Sequence, residues 1–306
     1  MSTRTHLLAL TDELRRLKAG GQRGVAVTEE GLARLRVAVA EARTELTPAL
    51  APQQAPAVAL SPGKPKSVDR PPKPSGVALP ALPEFKLPEG AKQIRWNFLR
   101  DLVLNDSVCR AQVFPGKRVV FGVGNLDAAI MFVGEAPGGD EEDQGEPFVG
   151  RAGQLLNRMI KTMGLERSQV YIGNILNWRP QMPRDSDGAQ TGNRPPTAAE
   201  MAYCLPFIRA QIAIIQPRVL VALGKTAVDG LLGAERFKSM GAARGAWHTY
   251  ADTPLRASYH PSYLLRQEGL TSAAAKKIKR DAWEDLLAVM ERVEMPISEK
   301  QRNYFR

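Results

Sequence analysis

The stretch from Ala128 to Gly153 leaves this chain few folds to choose from. An unbroken apolar run, Ala128 to Val133, stops at Gly134. Apolar residues without alternation mark a strand covered on both faces, as in parallel sheets with helices on either side. Pro137 and Gly138 then set a turn, a loop carries the acidic residues Asp140, Glu141, Glu142 and Asp143, and a helix opens near Gly150. Glu135 is thereby held at the carboxyl edge of a sheet, where open α/β folds bind ligands, and Gly134 beside it allows close backbone approach. Phe148 lies on the loop just before the helix. An aromatic ring opposite a carboxylate suits a planar, polar ligand.

The same unit repeats along the chain. A helix over residues 93–104 precedes it, and after the helix at 152–163 come a strand at 169–175, a Gly/Pro-rich loop over 182–196, and a helix that Thr197 caps and that runs to Ile215. A third strand spans 218–223 and ends at Gly224, with a helix to Leu232; a fourth spans 255–259, and a last helix runs over 272–290. Alternating strands and helices predict an α/β fold with parallel crossovers and helices on both faces of one sheet. Glu135, Asn174 and His260 each fall at or just past a strand end, so residues far apart in sequence can share one pocket. Gly122 and Gly124 imitate a dinucleotide fingerprint, but the third glycine is missing and a strand, not a helix, follows.

The first 92 residues read differently. Leu7, Leu10, Leu14 and Leu17 before Gly20 and Gly21, and then Leu32, Leu35 and Val39 after a Thr28 cap, predict a helical appendage over 1–45. Residues 46–90 hold 11 of the 23 prolines, so 46–92 reads as a flexible linker and 93–295 as the main domain. With 43% apolar residues the chain can build a core; its net charge of +10 and pI near 9.7 favour an anionic partner, nucleic acid first among them. Two cysteines, Cys109 and Cys204, are too few for a disulfide framework or an all-thiolate metal site and fit a reducing compartment. Without an apolar run of membrane length, or the longer apolar core of a signal peptide at its start, the chain reads as a cytoplasmic monomer. The N-terminal helices and the proline-rich arm are left for a protein partner.

An ordered set of motifs adds to this reading: GEAPG at 134–138, PFVGRAG at 147–153, YIGN at 171–174 with RP at 179–180, GNRPPT at 192–197, PFIRAQI at 206–212, VALG at 221–224, ARGAW at 243–247 and HPSYLLR at 260–266. Over roughly residues 97–290 the chain resembles the uracil-DNA glycosylase superfamily, family 4. The resemblance implies a three-layer α/β/α sandwich around a four-stranded parallel sheet, and hydrolysis of the bond between uracil and deoxyribose in DNA after the base is flipped out. It implies that Phe148 stacks on the uracil, Asn174 reads its Watson–Crick edge and His260 donates to O2. It assigns water activation and support of the cationic sugar to Glu135, with Ala136 where other uracil glycosylases carry an Asp; Glu141 matches an acidic position that orients water or the loop. Leu264 resembles the side chain pushed into the base stack, with Ser262, Tyr263 and Arg266 at the backbone; Lys276, Lys279 and Arg280 are candidate phosphate contacts.

Family 4 usually holds a four-iron four-sulfur cluster with four cysteines. Here the four positions fall on Cys109, Gln112, Trp178 and Cys204, and neither glutamine nor tryptophan ordinarily ligates such iron. The expectation is that no cluster forms and no metal binds, with Trp178 and the two cysteines packed as a plug. Two other readings stay open: a DNA- or abasic-site-binding protein of the same fold with weak or lost turnover, and an interaction module whose N-terminal arm recruits a partner.

Overall fold

A computed structural model describes residues 79–184 and 190–305. The expected appendage at 1–45, and the part of the expected linker up to residue 78, lie outside the described residues. Four strands run parallel at the centre: β2 (Ile130–Gly134), β3 (Tyr171–Asn174), β4 (Val219–Leu223) and β6 (Thr253–Ser258). Two short strands extend them antiparallel at the edges, β1 (Val123–Gly124) on β3 and β5 (Trp247–Tyr250) on β6, giving the order β1-β3-β2-β4-β6-β5. The four-stranded parallel sheet is thus the centre of a six-stranded mixed one. The β5–β6 hairpin turns on Ala251 and Asp252, both at positive φ. That geometry ordinarily draws Gly or Asn, so composition gave no sign of it.

Helices cover both faces. On one lie α1 (Lys92–Asn105), α5 (Ala198–Ile215) and α6 (Lys225–Leu232), packing against Met131, Val133, Leu220, Ala222, Leu255 and Ala257. On the other lie α4 (Arg151–Thr162) and α9 (Ala273–Arg292), packing against Ile130, Phe132, Ile172, Val219 and Val221. Alternate residues of each strand enter opposite cores, which is why the strands read as unbroken apolar runs. Thr197 caps α5 by accepting from the Glu200 amide, and Glu200 returns a carboxylate to the Thr197 amide. Helix α5 is long and apolar enough to cross a membrane, but Cys204, Phe207, Ile208 and Ile212 are buried in the core of this domain.

Short helices appear where the sequence reading placed none. These are α2 (Ser107–Ala111), α3 (Gly139–Gln144) within the acidic run, α7 (Met240–Ala243), α8 (Pro261–Leu265) after His260, and α10 (Glu299–Arg302) beyond the expected domain end. The expected linker also ends early. Leu79, Phe85 and Leu87 pack against the core, and Phe85 stacks on Phe207 at 5.7 Å. Apolar side chains among the prolines anchor this segment to the domain.

Candidate active site

The carboxyl ends of β2, β3, β4 and β6 open into a cavity of about 840 Å³. Glu135, Ala136, Phe148, Asn174, His260, Ser262 and Arg266 all line it. Phe148 reaches it from a backbone at φ 54°, and its ring lies 5.6 Å from the His260 imidazole with 31° between the planes. Two glycines make room. A Cβ on Gly134 would come within 2.4 Å of the Phe148 ring and 2.5 Å of Asn174 Oδ1, and one on Gly153 within 1.9 Å of the Phe148 carbonyl oxygen. Gly134 is therefore a packing requirement of the Phe148 ring and the Asn174 amide, and Gly153 of the Phe148 backbone.

Glu141 builds the loop. Its Oε1 accepts from the amides of Val149 and Gly150 at 3.0 and 2.9 Å, and its Oε2 from that of Gly138 at 3.1 Å. Of the two tasks the resemblance allows it, ordering the loop is the one these contacts serve. Arg167 clamps the far side, donating to the carbonyls of Pro147 and Phe148 at 2.6 and 3.2 Å. Glu135 Oε2 accepts from the Thr226 hydroxyl at 2.6 Å, which orients the carboxylate.

Asn174 is 6% exposed, and its Oδ1 has no hydrogen-bond partner among the described residues. A buried, unpaired acceptor is costly, of order 1–3 kcal/mol, unless a ligand supplies the donor. His260 has the opposite arrangement. Its Nδ1 accepts from the Ser262 amide at 3.1 Å and lies 2.8 Å from the Ser262 hydroxyl. An amide N–H can only donate, so Nδ1 carries no proton and, in the neutral ring, Nε2 does. Burial, and then the nearby Arg266 charge, lower the imidazole pKa to about 4, so the ring is neutral at physiological pH.

Sequence reasoning missed three of these supports: Thr226, Arg167 and the tautomer-setting role of Ser262. Thr226 was within reach, because the strand-end rule that marked Glu135, Asn174 and His260 applies equally to the residues after Gly224. Of the expected DNA contacts, Ser262 and Arg266 line the cavity, and Leu264, Lys276, Lys279 and Arg280 lie away from it. Leu264 is only 6% exposed and packs in the core, because α8 turns that face toward α4. Arg280 is tied to Glu284 and to the carbonyls of Arg302 and Tyr304 in the C-terminal segment. Lys279 is half-buried beside Trp283 and Phe305, in an apolar hollow away from the cavity. Lys276 is exposed on α9 and lines no part of the cavity.

The model of the family described as the uracil DNA glycosylase superfamily matches residues 121–287. The chain belongs to the uracil DNA glycosylase superfamily. It is 38% identical over 168 residues to a type-4 uracil-DNA glycosylase of Thermotoga maritima, covering 55% of this chain and 79% of that protein. A type-4 uracil-DNA glycosylase of Pyrobaculum aerophilum is 33% identical over 186 residues, covering 59% of this chain and 89% of its own. A type-5 uracil-DNA glycosylase from the same organism is 30% identical over 185 residues, 53% of this chain and 74% of that relative.

The superfamily's type-4 members usually carry an iron–sulfur cluster, and the corresponding residues here do not fit one. Trp178 is fully buried in the same core as Cys109 and Cys204, with its ring 6.2 Å from that of Tyr203. The Tyr203 hydroxyl donates to Asp106, whose carboxylate also caps the Cys109 amide at 2.8 Å. A hydrogen bond with Cys204, followed by burial, holds the Cys109 thiol far above its ordinary pKa. An iron–sulfur cluster is ordinarily held by four thiolates, and Cys109 and Cys204 supply two thiols.

Proposed function

We propose that this chain is a monofunctional uracil-DNA glycosylase, which hydrolyses the N-glycosidic bond of a flipped-out deoxyuridine and leaves an abasic site for base-excision repair. The observation that carries the reading is the buried, unpartnered Oδ1 of Asn174 in the cavity that His260, Phe148 and Glu135 share. Uracil supplies what that oxygen lacks, since its N3–H donates to Oδ1 while its O4 accepts from the amide nitrogen. Cytosine presents an acceptor and a donor in the reverse order and leaves both unmatched.

The base stacks on Phe148, whose loop is fixed by Glu141 and Arg167. As the C1′–N1 bond breaks, its electron pair departs with the base and charge gathers on O2. The neutral imidazole of His260 meets that charge through Nε2–H. Glu135, oriented by Thr226, faces the cationic sugar; a water oxygen bonds to C1′ and gives its proton to the carboxylate. Lys225 lines the cavity but is held by both carboxylate oxygens of Asp229 at 2.6 Å. An ammonium so paired is no imine-forming amine, which supports simple hydrolysis without strand cleavage.

Incubation with a single-uracil oligonucleotide, then alkali, should break the strand at the uracil position, whereas intact strands despite measurable binding would reduce the protein to a binding module. His260→Ala should lower excision by about 10²–10³-fold, an effect typical of donors to a developing oxyanion, with much less change in binding. Asn174→Ala should behave in the same direction.

The chain folds without an iron–sulfur cluster, its place taken by Trp178, Cys109 and Cys204. Metal analysis of anaerobically purified protein should find iron far below one equivalent; stoichiometric iron with acid-labile sulfide would refute this. Two free, buried thiols support a cytoplasmic location.

A further inference from the structure

The sheet ends on β1, and the segment that leads into it forms an open edge. Residues 117–122 run into β1 without a turn or bend. Val120 turns its backbone inward, its amide donating to the Asn177 carbonyl at 2.7 Å and its carbonyl accepting from the Asn177 side-chain amide at 2.9 Å. Backbone groups alternate sides along an extended chain, so those of Val119 and Phe121 turn outward. Neither residue's N–H or C=O has a hydrogen-bond partner among the described residues. An unpaired backbone edge is a template for a further strand.

Outward lies a groove of about 580 Å³, which Val119, Phe121 and Val123 line and Val120 does not. Arg100, Arg110, Lys117 and Arg118 stand around it, against one lining carboxylate, Glu146. Lys117 is paired with Asp143, and Arg100 with Asp101 while lying 5.2 Å from the Trp96 ring. Arg110 and Arg118 are exposed and reach no carboxylate among the described residues; Arg118 donates only to the Gln144 carbonyl, at 3.4 Å. Helix α3 stands between this groove and the catalytic cavity, Glu141 lining the cavity and Gln144 the groove.

We propose that this edge docks an acidic, extended peptide of a partner protein, which adds a strand outside Val119–Val123 and sets carboxylates on Arg110 and Arg118. Two unpaired guanidinium groups call for an anionic ligand. Open N–H and C=O groups together call for acceptors and donors in that same ligand, which a peptide backbone has and a phosphodiester backbone lacks. The chain's own first 78 residues carry 12 Lys and Arg against 7 Asp and Glu, and a second copy brings a net charge of +10, so neither complements the groove.

The probe is a capped, fluorescein-labelled hexapeptide of alternating Asp and Val, titrated into the full chain. Its anisotropy should rise to saturation with wild type. Charge reversal by Arg110→Glu with Arg118→Glu should weaken binding by roughly tenfold or more. N-methylation of alternate peptide residues blocks one backbone edge and leaves the charge, and for one of the two methylated sets it should also weaken binding by about tenfold. The kcat for uracil excision should stay within about twofold in the charge-reversed variant, since the groove lies outside the cavity. The absence of saturable binding overturns the proposal. So does equal binding of both N-methylated peptides, which leaves charge attraction without a strand. A thymidine oligonucleotide whose affinity falls more than the peptide's on charge reversal would make the groove a nucleic-acid surface and overturn it as well. None of these outcomes touches the excision reading, which the uracil assay decides separately.

Discussion

His260 shows how much chemistry one backbone amide can decide. Because Ser262 N–H donates to Nδ1, the ring offers Nε2–H to the cavity, and because burial and Arg266 disfavour the charged form, it does so as neutral imidazole. A donor without net charge stabilises an oxyanion without drawing a counter-ion into the site. Two consequences follow for pH. Excision should show no ionisation attributable to this ring between about pH 6 and 8, since its pKa lies near 4. For stability the sign is the reverse of a paired histidine. The unfolded ring, with its ordinary pKa near 6.5, binds a proton that the folded ring refuses, so stability is fully present above about 6.5 and is lost as pH falls toward 4. The loss should amount to about 1–3 kcal/mol. Denaturant titrations of wild type and His260→Gln at pH 7.5 and 4.5 should differ in slope with pH, the variant losing less on acidification; parallel losses would remove His260 from the account.

At the scale of elements, the site depends on how the β2–α4 connection is folded. The acidic run becomes α3 because Glu141 satisfies three amides, one of which, from Gly138, precedes the helix, while the other two belong to the loop carrying Phe148. Carboxylates in a first helical turn are also favoured by the helix dipole. Glu141→Gln cannot offer acceptors at both side-chain oxygens, so an amide N–H is left facing another donor. The expected outcome is a lower melting temperature, a loss of about 1–3 kcal/mol, and a raised KM as the Phe148 ring loses its support. Unchanged stability and kinetics in that variant would mean that the loop is ordered by other contacts. This element also marks the boundary of what was legible. Strand tips could be read because unbroken apolar runs announce buried strands, and the residues after them fall at one edge by topology. Arg167 could not be read with equal force, since its partners, the carbonyls of Pro147 and Phe148, come from tertiary packing. The burial of Leu264 could not be read, because spacing after His260 gives distance along the chain but not which face of α8 points to solvent.

Across the whole molecule, the proline-rich segment was read from composition as linker throughout, and the error there is instructive. Proline content predicts extended backbone, but extended backbone can lie on a surface as readily as it can hang free. Leu79, Phe85 and Leu87 recur among the prolines of the segment Leu79–Gly90, and it is these side chains that pack on the core. Phe85 stacks on Phe207, Phe207 meets Tyr203 edge-on at 6.2 Å, and Tyr203 lies against Trp178. A row of aromatic rings therefore runs from Phe85 to Trp178. On this reading the segment contributes to the stability of the core region around Trp178, Cys109 and Cys204. Phe85→Ala in the full chain should then destabilise the domain by about 1–3 kcal/mol, less than a fully buried phenylalanine because its ring is only half covered. The site lies at the sheet's carboxyl edge and shares none of these rings, so kcat at a temperature well below melting should be preserved. Chemical denaturation and excision kinetics on one preparation check both halves; a Phe85→Ala protein as stable as wild type would return residues 79–91 to the status of linker.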